Sequence, residues 1–194
     1  KDYVVKNSAQ KKFYLNLSSK KREFIELENF YQEESFWLDG YAAFMTIKED
    51  YEERVNKENL VQGIWNEVWP KELALNKENE VKAFLSKHSE EYKAQKIIQF
   101  FFFSQWKKLK EHAEKNGIQL IGDIPIFTAM DSADIWQNQS LFLLDKEAKP
   151  KAVAGVPPDF FSPTGQLWGN PLYDWANMKK DGYLWWKARI RQTL

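Results

Sequence analysis

The stretch from Glu90 to Asn116 is the strongest constraint on what this chain folds into. Its apolar positions Ala94, Ile97/Ile98, Phe101/Phe102, Trp106, Leu109 and Ala113 recur every three or four residues and trace one stripe along a helix. Asn116-Gly117 then supplies a left-handed stop. Directly afterwards comes the short apolar run Ile118-Gln119-Leu120-Ile121, followed by Gly122-Asp123-Ile124-Pro125-Ile126-Phe127. That is the pattern of a buried strand whose far end delivers an Asp. Helix, glycine stop and buried strand make one half of a βαβ repeat, so the fold class is read as α/β.

The rest of the chain divides around that unit. From Glu23 to Tyr51 helical spacing is broken near Ser35, which predicts two helices. Asn59 is placed to cap a short helix carrying Leu60, Ile64, Trp65 and Val68, which Pro70 stops, and another helical stretch begins near Asn79. Past Phe127 periodicity fades and Gly, Pro, Asn, Asp and Trp become dense. Ser132 is a cap for a turn through Trp136, and Leu141 to Leu144 is expected to pair with Lys151 to Val153 across Asp145 to Lys149. Gly155 to Pro171 reads as an extended, irregular loop, and Gly182 to Leu194 as a final helix.

Composition removes whole classes of function. The 28 basic residues balance 28 acidic ones, leaving none of the cationic excess that binding nucleic acid requires. The absence of Cys excludes disulfide frameworks, thiolate metal sites and cysteine nucleophiles, and cytoplasmic localisation is the default. No apolar run reaches 18 residues, so no membrane span is expected. The chain opens on Lys1-Asp2-Tyr3 without Met or a signal-peptide core, and its numbering is expected to begin inside a longer protein. His88 and His112 stand among charged residues and are read as solvated. The remaining candidates for chemistry are the loop carboxylates Asp123, Asp131, Asp134 and Asp159; an Asp at the end of a buried strand is either a site residue or a brace for its loop. The 9 Trp, 8 Tyr and 14 Phe are dispersed. They suit a core first, and a sugar-binding cleft second, because the C–H face of a pyranose lies flat on a ring.

Three blocks go further: Gly122-Asp123-Ile124-Pro125-Ile126-Phe127, Asp131-Ser132-Ala133-Asp134-Ile135-Trp136, and the long run from Gly155-Val156-Pro157-Pro158-Asp159-Phe160-Phe161 through Gln166-Leu167-Trp168-Gly169-Asn170 to Tyr173. In wording and order they closely resemble the 4-α-glucanotransferases called amylomaltases or disproportionating enzymes. Trp37-Leu38-Asp39-Gly40-Tyr41-Ala42 resembles another family block more loosely, while residues 1–35 and 50–90 match none. The resemblance implies part of a (β/α)8 TIM barrel with an inserted helical subdomain, incomplete here because such a barrel takes about 250 residues. Residues 1–90 would be the mostly helical inserted region, and 91–194 a barrel helix, the barrel strand carrying Asp123, and active-site loops.

By the same resemblance, Asp123 is a supporting catalytic residue, not the nucleophile. The family's nucleophile lies in an Arg-Ile-Asp-His-Phe-Arg-Gly block, which Arg189-Ile190-Arg191 is not, and its acid/base Glu lies further on. Pro157 to Asn170 matches the loop that overhangs the cleft, which implies sugar contacts from Phe160, Phe161, Trp168 and Asn170. By the resemblance, Phe160 stands where most relatives have Tyr, which leaves stacking without any hydrogen bond from the phenol, and Met130 stands where a polar residue is usual, which puts a polar contact there in doubt. Asp131 and Asp134 are read as loop braces.

The implied reaction is retaining transglycosylation on maltooligosaccharides and α-1,4-glucans, with no metal and no cofactor. No activity is expected of the chain alone. An incomplete barrel with uncovered apolar faces is expected to associate with itself. The alternatives are a noncatalytic carbohydrate-binding or scaffold domain and an aromatic-rich helical interaction domain.

Overall fold

Apolar spacing changes phase at Ser35, and there one helix ends and the next begins. The computed structural model describes residues 21–193, which form helices α1 (Lys21–Glu33), α2 (Ser35–Glu58), α3 (Trp65–Val68), α4 (Lys71–Ala74), α5 (Glu78–Lys87), α6 (Ser89–Lys115), α7 (Ala133–Gln137), α8 (Trp175–Lys180) and α9 (Leu184–Thr193). A 3-10 turn spans Gln139–Leu141, and strands β1 (Val153–Val156) and β2 (Gln166–Pro171) make a two-stranded antiparallel sheet. Among the described residues, no helix is long and apolar enough to cross a membrane.

Residues 21–58 and 78–120 form one compact unit. In it α2 packs along α6, and α1 and α5 each touch both. Leu27 of α1 meets Ile97 and Phe100 of α6 in a buried cluster, against which Phe30, Tyr31 and Phe101 pack. Leu38, Ala42, Ala43, Phe44 and Ile47 are the buried contribution of α2. Each large apolar side chain so buried is worth about 1.5–3 kcal/mol. At the edge of this core Lys96 pairs with Asp39 at 2.5 Å and lies over the ring of Tyr92. Burial alone would lower the pKa of Lys96, but hydrogen bonds and charge from Asp39 and Tyr92 outweigh it and raise it.

The stripe read on α6 is buried only in part. Ala94, Ile97 and Ala113 are covered, whereas Phe102, Trp106 and Leu109 are exposed, the first two with rings parallel to within 4° at 6.5 Å. His88 departs from the solvated reading: it stacks on Phe84 at 4.2 Å and faces Asp50. Asn59 has φ 55° and ends α2 instead of capping the next helix, because an amide side chain tolerates the left-handed conformation at a helix terminus. Leu60 and Ile64 consequently lie outside α3.

The larger correction concerns 118–121. The helix stop is present, with Gly117 at φ 70° and Ile118 N–H donating to Ala113 O, but the apolar run beyond it is not a strand. It is exposed coil, Ile121 at 93%, and Asp123 follows it in the same state. A strand needs a neighbour's backbone to pair with, and among the described residues the only sheet is β1 with β2.

Residues 59–77 and 121–193 form the second compact unit. Trp65, Ile135, Trp136 and Met178 are fully buried in it, with Trp69, Leu141, Phe142 and Tyr173 close to that. Both deepest indoles use their single donor on a carbonyl: Trp65 Nε1 to Met130 O and Trp136 Nε1 to Leu73 O, each at 2.8 Å. Ser132 caps α7 as expected, its hydroxyl accepting from Ile135 N–H. The turn across Asp145 to Lys149 also forms, with Asp145 N–H donating to Lys149 O and an isolated bridge at Leu144 and Pro150.

Candidate functional site

The segment read as an irregular loop is an ordered hairpin. Gly155 pairs with Leu167 and Val156 with Gln166, and between them run residues 157–165. Two devices close it. Asp159 Oδ1 accepts the amides of Phe161 and Ser162 at 2.9 and 2.8 Å, and Ser162 Oγ donates to Gly165 O at 2.7 Å. Gly165 has φ 75°, and a Cβ there would lie 2.6 Å from Val156 O, so a side chain meets both a strained backbone and a collision. Alternation failed to reveal the hairpin because its second strand is irregular.

That irregularity sets the geometry of the site. Val153 pairs with Pro171, so Ala154 of β1 stands opposite Trp168, Gly169 and Asn170 of β2. The bulge turns on Gly169 at φ 79°. It presents Trp168 half-exposed at 48%, with its indole N–H donating to Gln166 Oε1 and its ring edge-on to Phe127 at 6.0 Å. Asn170 instead turns inward and donates Nδ2 to Thr128 O at 3.1 Å.

Phe160 and Phe161 sit on the hairpin turn, 95% and 88% exposed, and touch each other edge to face at 5.6 Å. Asp123 is exposed. The backbone just beyond it is held firmly: Arg189 Nη2 donates to Pro125 O at 3.1 Å, and Tyr173 OH to Ile126 O at 2.9 Å. The structure therefore joins Trp168 and Asn170 to the segment following Asp123, while Phe160 and Phe161 stand alone on their turn. Asp134 accepts from Trp185 Nε1 at 3.3 Å, a bracing contact within the fold.

Beside the bulge an open apolar groove of about 480 Å³ is lined by Ile126, Phe127, Leu143, Leu172, Tyr173, Trp175 and Trp186. Tyr173 is its organiser: Phe127 stacks on it at 6.2 Å, and Trp186 meets it edge-on at 5.3 Å. Among the described residues no group of three or more His, Cys, Asp or Glu is arranged to hold a metal ion. Thr128, Tyr173 and Arg189 were not singled out from the sequence, since one threonine, one tyrosine and one arginine in separate segments carry no local signal of meeting.

Comparison with known proteins identifies the family of the chain. The family model described as 4-alpha-glucanotransferase matches residues 1–194. The chain is 43% identical over 185 residues to a 4-alpha-glucanotransferase of Clostridium butyricum, covering 95% of this chain and 36% of that protein. To one of Aquifex aeolicus it is 44% identical over 173 residues, covering 89% and 33%. A solved structure described as amylomaltase from Streptococcus agalactiae in complex with acarbose superposes with a TM-score of 0.83 at 37% identity, over 95% of this chain and 35% of that one. The chain thus spans about a third of the length of the curated relatives it matches. With the family model matched across all 194 residues and relatives at 43% and 44% identity, the chain belongs to the 4-alpha-glucanotransferase family.

Proposed function

We propose that this chain supplies part of the glucan-binding cleft of a cytoplasmic (β/α)8-barrel enzyme that transfers α-1,4-glucan segments between maltooligosaccharides. The observation that carries the reading is the hairpin turn, on which Asp159 holds Phe160 and Phe161 almost wholly in solvent. Two large rings so exposed form an apolar surface that suits a sugar's C–H face. Trp168 adds a third surface, and Asp123 supports the reacting centre. The complex of the related amylomaltase with acarbose supports an oligosaccharide ligand for the protein to which this chain belongs.

Retaining transfer uses two carboxylates about 5 Å apart, one attacking the anomeric carbon and one protonating the leaving oxygen. We place both outside these 194 residues. The role left to the hairpin is to hold an acceptor sugar and keep water from the intermediate, because transfer competes with hydrolysis. Isothermal titration tests the reading: maltoheptaose is expected to give saturable heat and cellohexaose none, while maltotriose incubated with the chain stays unchanged. No saturable binding of maltoheptaose would contradict it. Binding in a full-length relative rendered inactive only by loss of its carboxylates would separate an enzyme cleft from a noncatalytic binding domain.

A further inference from the structure

Thr128 is a buried polar residue of the second unit, 5% exposed. Its hydroxyl receives Arg189 Nη1 at 3.2 Å and lies 3.3 Å from the hydroxyl of Tyr173. Proton bookkeeping fixes the direction of the chain. Tyr173 has one O–H, which it donates to Ile126 O, so in its contact with Thr128 it accepts. Thr128 in turn has one O–H, which goes to Tyr173, and it accepts from the guanidinium, a group that only donates. The result is a directed relay, Arg189 to Thr128 to Tyr173 to the Ile126 carbonyl, headed by a permanent charge and polarised along its length. The backbone carbonyl of Thr128 accepts Asn170 Nδ2, which ties the relay to the bulge carrying Trp168.

We propose that Thr128 is a positioning residue that locks the segment after Asp123 and the bulged strand β2 into one geometry, so that Asp123 and Trp168 are set together. Its relevance to glucan binding rests on the functional reading above; the joint itself does not. A hydroxyl is required at this point and not merely bulk, since valine has the shape of threonine without a proton to give or a lone pair to receive.

The test labels the 194-residue chain with 5-fluorotryptophan and assigns the Trp168 resonance by its loss in Trp168→Phe. Thr128→Val is expected to shift and broaden that resonance, Thr128→Ser to restore it, and Tyr173→Phe to reproduce the shift without adding to it in the double variant. Should Thr128→Val not fold, Tyr173→Phe alone decides. A Trp168 resonance unmoved by loss of either hydroxyl, or a serine variant that rescues nothing, overturns the proposal. Maltoheptaose titration forms a separate arm. There Thr128→Val is expected to weaken binding about threefold to tenfold, the equivalent of one hydrogen bond, with rescue by serine. Wild-type chain that does not bind maltoheptaose counts against the functional reading alone, and the fluorine result still decides the joint.

Discussion

Individual side chains act here mainly through where they put hydrogen bonds. Asp145 shows how backbone amides act on a single exposed carboxylate. Backbone amides of Lys149 and Glu147 donate to it and hold its carboxyl below the usual aspartate range. A group depressed on folding stabilises the fold above its unfolded pKa, about 3.9, and loses that contribution as pH falls through the folded value. Asp145→Ala is therefore expected to lower Tm at neutral pH, with the gap to wild type closing below that value. Thermal melts across a pH series check it, and a gap independent of pH would contradict it. Asp159 likewise accepts two backbone amides, those of Phe161 and Ser162, and so shapes the hairpin turn. Asp159, Phe160, Phe161 and Trp168 were legible in the sequence, because the order of their block carries the family pattern even where Phe160 departs from it. Thr128, Tyr173 and Arg189 were illegible there, since their meeting spans 61 residues between Thr128 and Arg189 and depends on a fold already made.

Helices marked by long apolar periodicity were read correctly. The helix from Glu90 to Asn116 is α6 to within a residue at each end, and the break at Ser35 divides α1 from α2. Periodicity reports which face of an element is apolar, but it does not say what covers that face. Ile118 to Ile121 has a strand's composition and no ladder among the described residues, while β2 forms despite Gly169 because its bulge is accommodated against β1. Two substitutions measure the difference on α6. Ile97→Ala opens a cavity in the cluster with Leu27 and Phe100 and is expected to cost about 2–5 kcal/mol. Leu109→Ala, on the exposed part of the same stripe, is expected to change stability by about 0.5 kcal/mol or less. Urea unfolding monitored by circular dichroism gives both values, and equal losses would mean that Leu109 is covered in solution. In the hairpin, Gly165→Ala combines a left-handed backbone with the approach to Val156 O and is expected to destabilise by about 1–3 kcal/mol. A neutral effect on Tm would show that the turn is not held as described.

At the scale of the whole molecule, apolar surface remains on both compact units. Phe102, Trp106 and Leu109 are exposed on one, and Ile121, Ile126, Phe160 and Phe161 on the other. Surface of this kind favours association. Multi-angle light scattering is expected to show an average mass that rises with concentration in the micromolar range, and a constant monomer mass would contradict that. The reading proposed for the hairpin aromatics is narrower, that they are a sugar-binding surface and not a private core. Exposed rings contribute little to folding, so Phe160→Ala with Phe161→Ala is expected to leave Tm nearly unchanged. Each stacking surface lost is worth about 0.5–1.5 kcal/mol beyond its area. Calorimetric titration of maltoheptaose into the wild-type chain and this double variant is therefore the most direct measurement. Saturable binding that weakens at least several-fold in the variant, with Tm held, is the expected result, and equal affinity for the two proteins would contradict the account.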